Sequence, residues 1–308
     1  HHWPRWGRKE GFDYISKQRD MYRYIHDQTV RLMNRGLTPT EISNQLELPP
    51  SLGKEFYNRD YYGTVSHNSR AVYNFYLGFF DGNPALLNPQ DPKTRAIKYL
   101  ELAGGEDSLI TVAKRALELG DYRWAAELLN HLVFAKPENS TGRFLLADAY
   151  EQLGYQSESG PWRNFYLSGA TELRRGVLAP EKTRVVSRDL IASVPTKMFL
   201  DFLGVRFVPE GADDLDITIN LRFTDTNENF VLRLKNSVLN NIPNKLDDDP
   251  NAEMIMTRGV FDLIASRETS MPMEIAKGNI KVKGNPLGVL NVFRRLDDFD
   301  PNFNIVLP

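Results

Sequence analysis

The sequence predicts a multi-domain protein in which an all-α region precedes an α+β sandwich. Three observations lead there. At 308 residues the chain exceeds what one ordinary core organises, so two or three domains are expected. Up to about residue 173, apolar residues recur at spacings of three and four, the period of partly buried helices. From about residue 187 the pattern changes to short runs of alternating polar and apolar residues, interleaved with further helical segments.

The first helical stretch, from Gly11, carries Tyr14, Ile15, Gln18, Met21, Tyr22, Ile25, Val30, Leu32 and Met33, with Gly36 as the C′ residue that ends it. Thr38-Pro39-Thr40-Glu41 opens the next helix, with Thr38 as N-cap, Pro39 at N1 and Glu41 at N3. Leu48-Pro49-Pro50-Ser51-Leu52 breaks that helix and starts another. A stretch of aromatic and small polar residues, Tyr61 to Arg70, leads into an apolar helix from Ala71 to Phe80, which Asp81-Gly82-Asn83-Pro84 closes as a turn.

Between Lys93 and Leu173 the spacing is that of helical hairpins. Gly120-Asp121-Tyr122, Ala125, Leu129 and Pro137 match the second helix of a tetratricopeptide-like repeat, and Leu146-Ala147, Tyr150 and Leu153-Gly154-Tyr155 the first helix of a following one. A solenoid needs at least three repeats to bury its faces, and only about one and a half are present. A compact helical domain that covers its remaining apolar face with a second copy, a homodimer, is therefore expected.

In the last third, Asp189 to Leu203 reads as a helix. Antiparallel strands follow at Asp216 to Phe223 and Phe230 to Leu234, around a turn at Asp225-Thr226-Asn227. A strand at Ala252 to Thr257, a helix at Gly259 to Ser266, a strand near Asn279 to Val282 and a helix at Leu287 to Leu296 complete the α+β layers.

Composition excludes several function classes. Apolar content of 41% and charged content of 25% are those of a globular protein, and a formal net charge of −2 offers no basic field for nucleic acid. There is no cysteine, so neither a disulfide framework nor a thiolate metal site is available, and the compartment stays open. No apolar run approaches the roughly 18 residues of a membrane span.

His1-His2-Trp3-Pro4-Arg5-Trp6-Gly7 places two imidazoles before an aromatic-proline turn. That suits either a loop presenting a ligand to a metal or the remnant of a purification tag. Catalytic zinc takes three protein ligands, so the pair alone does not complete a site. His26 and His131 sit in helical patterns without a metal partner at i+3 or i+4 and read as packing or surface residues. Asp247-Asp248-Asp249 lacks calcium-loop spacing and reads as a solvated turn.

Five stretches, taken in order, carry a family resemblance. They are His1 to Gly7; Tyr62-Gly63 with Ser66-His67-Asn68-Ser69-Arg70-Ala71-Val72; Tyr76-Leu77-Gly78 with Asp81-Gly82-Asn83-Pro84-Ala85; Leu146 to Tyr155; and Phe199-Leu200-Asp201-Phe202-Leu203. Together they resemble the C-terminal portion of the metallo-β-lactamase-fold alkyl sulfatases, the type that hydrolyses dodecyl sulfate. The resemblance implies a remnant of the catalytic domain over 1–30, a helical dimerisation domain over 31–173 and a domain of the sterol-carrier-protein-2 (SCP2) type over 183–308. It also implies zinc-dependent hydrolysis of alkyl sulfate esters to alcohol and inorganic sulfate, on two zinc ions, by a homodimer. The C-terminal domain is then expected to take an apolar ligand.

The family's His-x-His-x-Asp-His run and its two bridging glutamates do not occur in this sequence. The chain is therefore expected to begin at the last zinc ligand, to bind zinc weakly on its own and to be inactive alone. The resemblance assigns that ligand to His1, with His2 as the alternative. It places His67 beside the sulfate ester, where an imidazole of ordinary pKa contacts a sulfate oxygen or protonates the leaving oxygen. A helix-start histidine flanked by Ser66 or Asn68 as caps is the plainer reading of the same residue. Arg70 either pairs with sulfate or makes a structural ion pair. Tyr61, Tyr62, Trp3 and Trp6 either line an alkyl channel or pack. The competing functional expectation is a non-catalytic, dimerising, lipid-binding module.

Overall fold

Gly7, at φ 93°, marks the point where helix begins in the computed structural model, which describes residues 3–177 and 188–308. The chain divides into two units, His1–Leu178 with Asn302–Pro308, and Ala179–Pro301.

The first unit is helical. Helix α1 (Arg8–Met33) starts three residues before the expected Gly11. It ends on Asn34 as C-cap, so Gly36, at φ 82°, lies one residue beyond the C′ position expected for it. In α2 (Pro39–Gln45) the capping box forms as read: Thr38 Oγ1 accepts from the Glu41 amide, and Glu41 Oε2 accepts from the Thr38 amide at 2.8 Å. The short α3 (Pro50–Gly53) follows the double proline. Helix α4 (Val65–Leu77) begins six residues before the expected Ala71. Thr64 caps it in place of Ser66 or Asn68, and Gly78, at φ 75°, stops it before Phe80. Ile25, Leu32, Ile42, Val65 and Tyr73 bury a small core among α1, α2 and α4.

Helices α5 (Pro92–Leu102), α6 (Glu106–Glu118), α7 (Tyr122–Ala135), α8 (Ser140–Gln156) and α9 (Gly160–Arg175) form the larger core. Asp121, Asn139 and Ser159 each cap the helix that follows by accepting an amide at its first turn. Helix α7 packs on α5, α6 and α8, and α8 on α9. Fully buried Leu109, Leu129, Leu132, Leu146 and Leu173 fill the space between them. At Gly142 the approach of α8 to α7 excludes a side chain, since a Cβ there would stand 2.6 Å from Leu132 Cδ2. Residues 302–308 lie on α9: Glu172 Oε1 accepts the amides of Ile305 and Val306 at 2.9 and 3.0 Å, and Val306 and Leu307 pack against the larger core.

In the second unit the single helix expected over Asp189 to Leu203 is two helices, α10 (Arg188–Ser193) and α11 (Thr196–Arg206). Pro195 has no amide to donate and turns Val194 away from helical backbone angles. Strands β1 (Ile217–Phe223), β2 (Glu228–Lys235), β3 (Val238–Pro243), β4 (Ala252–Met256) and β5 (Lys281–Gly284) form one sheet in the order β3-β2-β1-β4-β5. The expected antiparallel pair is β1 and β2, and the sheet as a whole is mixed, because β4 runs parallel to β1 while the other neighbours are antiparallel. Strand β3 was not foreseen. It returns from β2 through Asn236-Ser237, both at positive φ, the two-residue turn whose twist suits a hairpin.

Helices α12 (Arg258–Ala265), α13 (Met271–Ala276) and α14 (Pro286–Phe293) complete the unit. The second of these was likewise unforeseen, and the last starts one residue earlier and ends three residues earlier than expected. Ile219, Leu221, Phe223, Leu232 and Leu234 form the centre of the core. Among the described residues no helix is long and apolar enough to cross a membrane.

Candidate functional site

The first turn of α4 carries His67. Thr64 Oγ1 accepts the His67 amide at 2.9 Å, and the Asp60 carboxylate accepts the Val65 amide at 3.1 Å, so two of the helix's orphan donors are met by side chains of the loop before it. Burial pushes the Asp60 carboxyl above its usual range; nearby Glu158 adds to the push and the Val65 amide opposes it. The His67 ring is exposed and meets Trp162, on the first turn of α9, edge-on at 6.5 Å between centroids and 67° between planes. Three residues along α4, Arg70 is also exposed. Its Nε donates to Ser43 Oγ at 2.9 Å, and among the described residues it has no carboxylate partner.

Arg70 and Trp162 line the same groove of about 600 Å³, together with Arg123, Asp60, Ser66 and Tyr166. On the far side Arg123 reaches the neighbour of Ser43, donating to Asn44 Oδ1 at 3.5 Å. The groove thus holds two guanidinium groups and an aromatic wall beside the carboxylates of Asp60, Glu127 and Glu158, while the His67 imidazole reaches it only through its contact with Trp162. Within it Arg70 and Arg123 are the groups able to pair with an anionic head, and Trp162 and Tyr166 the surface able to meet an apolar body. Arg123, Trp162 and Asp60 were missed in the sequence. Ser159-Gly160-Pro161-Trp162 marks a helix start there, but nothing local says which ring His67 meets.

His1 and His2 lie outside the described residues. Trp3, Trp6 and Tyr62 are largely exposed. Tyr61 stacks obliquely on Phe56 at 5.2 Å, and its hydroxyl is buried without a hydrogen-bond partner among the described residues. His26 bridges Asp27 and the Tyr76 hydroxyl, each at 2.8 Å. His131 lies flat on Tyr99 at 4.5 Å, and burial, aided by Arg95, holds its pKa below the ordinary value. Asp247 exchanges hydrogen bonds with Asn220 through its backbone, while Asp248 and Asp249 are exposed. Among the described residues no group of three or more His, Asp or Glu is placed to hold a metal ion. They therefore do not by themselves fit a zinc site. In the second unit an apolar cavity of about 140 Å³ is lined by Phe199, Met254, Phe261 and Met271, with Arg206 and Arg267 also on its wall.

Both units match described domains. Residues 38–176 match the alkyl sulfatase dimerisation domain and residues 184–308 the alkyl sulfatase C-terminal domain, so the chain belongs to the alkyl sulfatase family. It is 43% identical over its whole length to a linear primary-alkylsulfatase of a Pseudomonas species and 42% identical to an alkyl/aryl-sulfatase of Saccharomyces cerevisiae, covering 46% and 47% of those proteins. Among solved structures, the stereoselective inverting sec-alkylsulfatase Pisa1 from a Pseudomonas species matches all of this chain with a TM-score of 0.95 at 41% identity, over 48% of its own length. The chain spans about half the length of the relatives it matches.

Proposed function

We propose that this chain is the dimerisation and C-terminal part of a zinc-dependent alkyl sulfatase, which hydrolyses alkyl sulfate esters to the alcohol and inorganic sulfate. The observation that carries the reading is Arg70 on the wall of one groove and His67 against Trp162 of the same wall, in a chain matched from end to end by alkyl sulfatases. In this reading Arg70 pairs with the sulfate oxygens, and His67 contacts the sulfate or gives its proton to the leaving oxygen. Zinc belongs to the part of the site outside the described residues, with His1, or His2, as this chain's ligand. When bound, it supplies a hydroxide nucleophile at neutral pH.

The finer domain reading is part of the same proposal: a catalytic-domain remnant over 1–30, a tetratricopeptide-like dimerisation domain over 31–173 that pairs two copies, and an SCP2-like domain over 183–308. The apolar cavity of the second unit supports an alkyl tail as its ligand, although 140 Å³ is small beside ordinary ligand pockets. The same cavity favours the second reading, a non-catalytic lipid-binding dimer.

Sulfate release from dodecyl sulfate and zinc content separate the two. Neither is expected of the 308-residue chain alone, and both are expected once it is joined to a zinc-binding catalytic domain of the alkyl sulfatase type. In the joined protein His67→Gln is expected to lower kcat by about 10²–10³-fold. A joined protein that binds zinc but releases no sulfate, or a His67→Gln variant with unchanged kcat, overturns the enzymatic reading.

A further inference from the structure

The geometry points to the N-terminus of α9, through Ser159, Gly160 and Trp162, as the positioning element for the His67 imidazole. This rests on the catalytic reading of His67 given above. Three successive residues at the start of α9, Glu158 and Ser159 before it and Gly160 as its first residue, grip the loop before α4. Glu158 pairs with Arg59 at 2.5 Å, the Ser159 hydroxyl donates to the Tyr62 carbonyl at 2.7 Å, and the Gly160 amide donates to the Tyr61 carbonyl at 3.0 Å. Ser159 is only 2% exposed, and its oxygen also accepts the Trp162 amide at 3.3 Å. One buried hydroxyl therefore fixes both the backbone leading into α4 and the first turn of α9, the two segments that carry the facing rings.

The consequence falls on an exposed side chain. The His67 backbone is pinned by the Thr64 cap, but an exposed imidazole is free to change rotamer. Trp162 stands against one side of it in the edge-on arrangement aromatic pairs favour, and so narrows the positions the ring takes. Chemistry is sensitive to such placement, since a shift of about 1 Å in a reacting group costs as much as 10²-fold in rate. Ser159 and Trp162 are positioning residues here; neither is assigned contact with the reacting atoms.

The test is read on His67 itself, independently of activity. The chain has five histidines, and His67→Gln assigns the His67 ring resonances in the NMR spectrum of the 308-residue chain. Trp162→Leu is expected to remove the ring-current displacement of the His67 signals, Trp162→Phe to keep part of it, and Ser159→Ala to shift it the same way as Trp162→Leu. Ser159→Thr, which keeps the hydroxyl, is expected to restore it. The signals of His26 and His131 are expected to stay in place throughout. In the protein joined to a catalytic domain, Trp162→Leu is expected to lower kcat by about tenfold at unchanged KM.

His67 signals unmoved by Trp162→Leu, or moved by Ser159→Ala no further than those of His26 and His131, overturn the proposal. Absence of sulfate release from the unmutated joined protein overturns the catalytic reading instead and leaves the NMR result to decide the geometry.

Discussion

At Gly284 the backbone has no room for a methyl group. The residue sits at φ 83°, paired with Ala252, and a Cβ there would stand 2.6 Å from the Asn251 carbonyl oxygen and 3.1 Å from the Ala252 α-carbon. Both neighbours are backbone, so neither gives way as a flexible side chain would. Gly284→Ala is expected to destabilise the sheet unit by about 2–4 kcal/mol, the sum of left-handed strain and overpacking. Urea unfolding followed by far-ultraviolet circular dichroism measures it, and a midpoint equal to that of the unmutated chain refutes the account. What is legible at this scale depends on sequence distance. The Thr38–Glu41 capping box is written in four consecutive residues and was read correctly. The Ser159–Tyr62 bond joins positions 97 apart, and the His67–Trp162 pair depends on the same long-range packing. His67 and Arg70 stood out only through motif resemblance, while Arg123 and Trp162 gave no local sign.

Between elements, one arginine joins three helices. Arg258, at the start of α12, is 8% exposed; it bonds Asp262 through Nε at 2.7 Å, Thr196 Oγ1 through Nη1 at 2.7 Å, and the carbonyls of Ile191 and Val194 through Nη2, each at 3.0 Å. Those carbonyls lie where Pro195 separates α10 from α11; that of Ile191 also accepts the Val194 amide at 3.1 Å, and the guanidinium meets the Val194 carbonyl at the break that proline makes. Arg258→Leu is expected to cost about 3–5 kcal/mol, because it strands the buried Asp262 carboxylate as well as the Val194 carbonyl. Replacing Asp262 by leucine as well is expected to recover part of that loss. A double variant as unstable as the sum of the two single ones contradicts the pairing. Pro195 is the local sign of the break, which the single helix expected over Asp189 to Leu203 ran through. Strand β3 was not visible, since its turn is Asn-Ser where Asn-Gly is the stronger signal, and α13 is only six residues long. The parallel pairing of β1 with β4 depends on which edge a strand reaches after the intervening hairpin, and side-chain alternation carries no information about that.

At the scale of the whole chain, sequence order and structural grouping part company: the polypeptide builds the helical unit, then the sheet unit, then returns to the first for residues 302–308. Alternation and helical period mark both units but say nothing of the return, because a seven-residue tail is too short to show either. Its attachment is specific even so. Glu172 takes two consecutive amides of the tail, Val306 fits against Gly169, where a Cβ would come within 3.3 Å of Val306 Cγ1, and Leu307 joins the larger helical core. Two charge-assisted hydrogen bonds and two partly buried aliphatic side chains contribute about 2–4 kcal/mol after the cost of ordering the tail. Removing residues 302–308 is therefore expected to lower the stability of the helical unit by that amount and to leave the sheet unit unchanged. Glu172→Gln is expected to give a smaller loss of about 1 kcal/mol, since a neutral amide oxygen still accepts but more weakly. Hydrogen exchange separates the outcomes: amides of α9 lose protection in the truncated chain while those of β1 and β2 keep theirs. Equal loss in both units, or unchanged protection in α9, contradicts the assignment of the tail to the helical core.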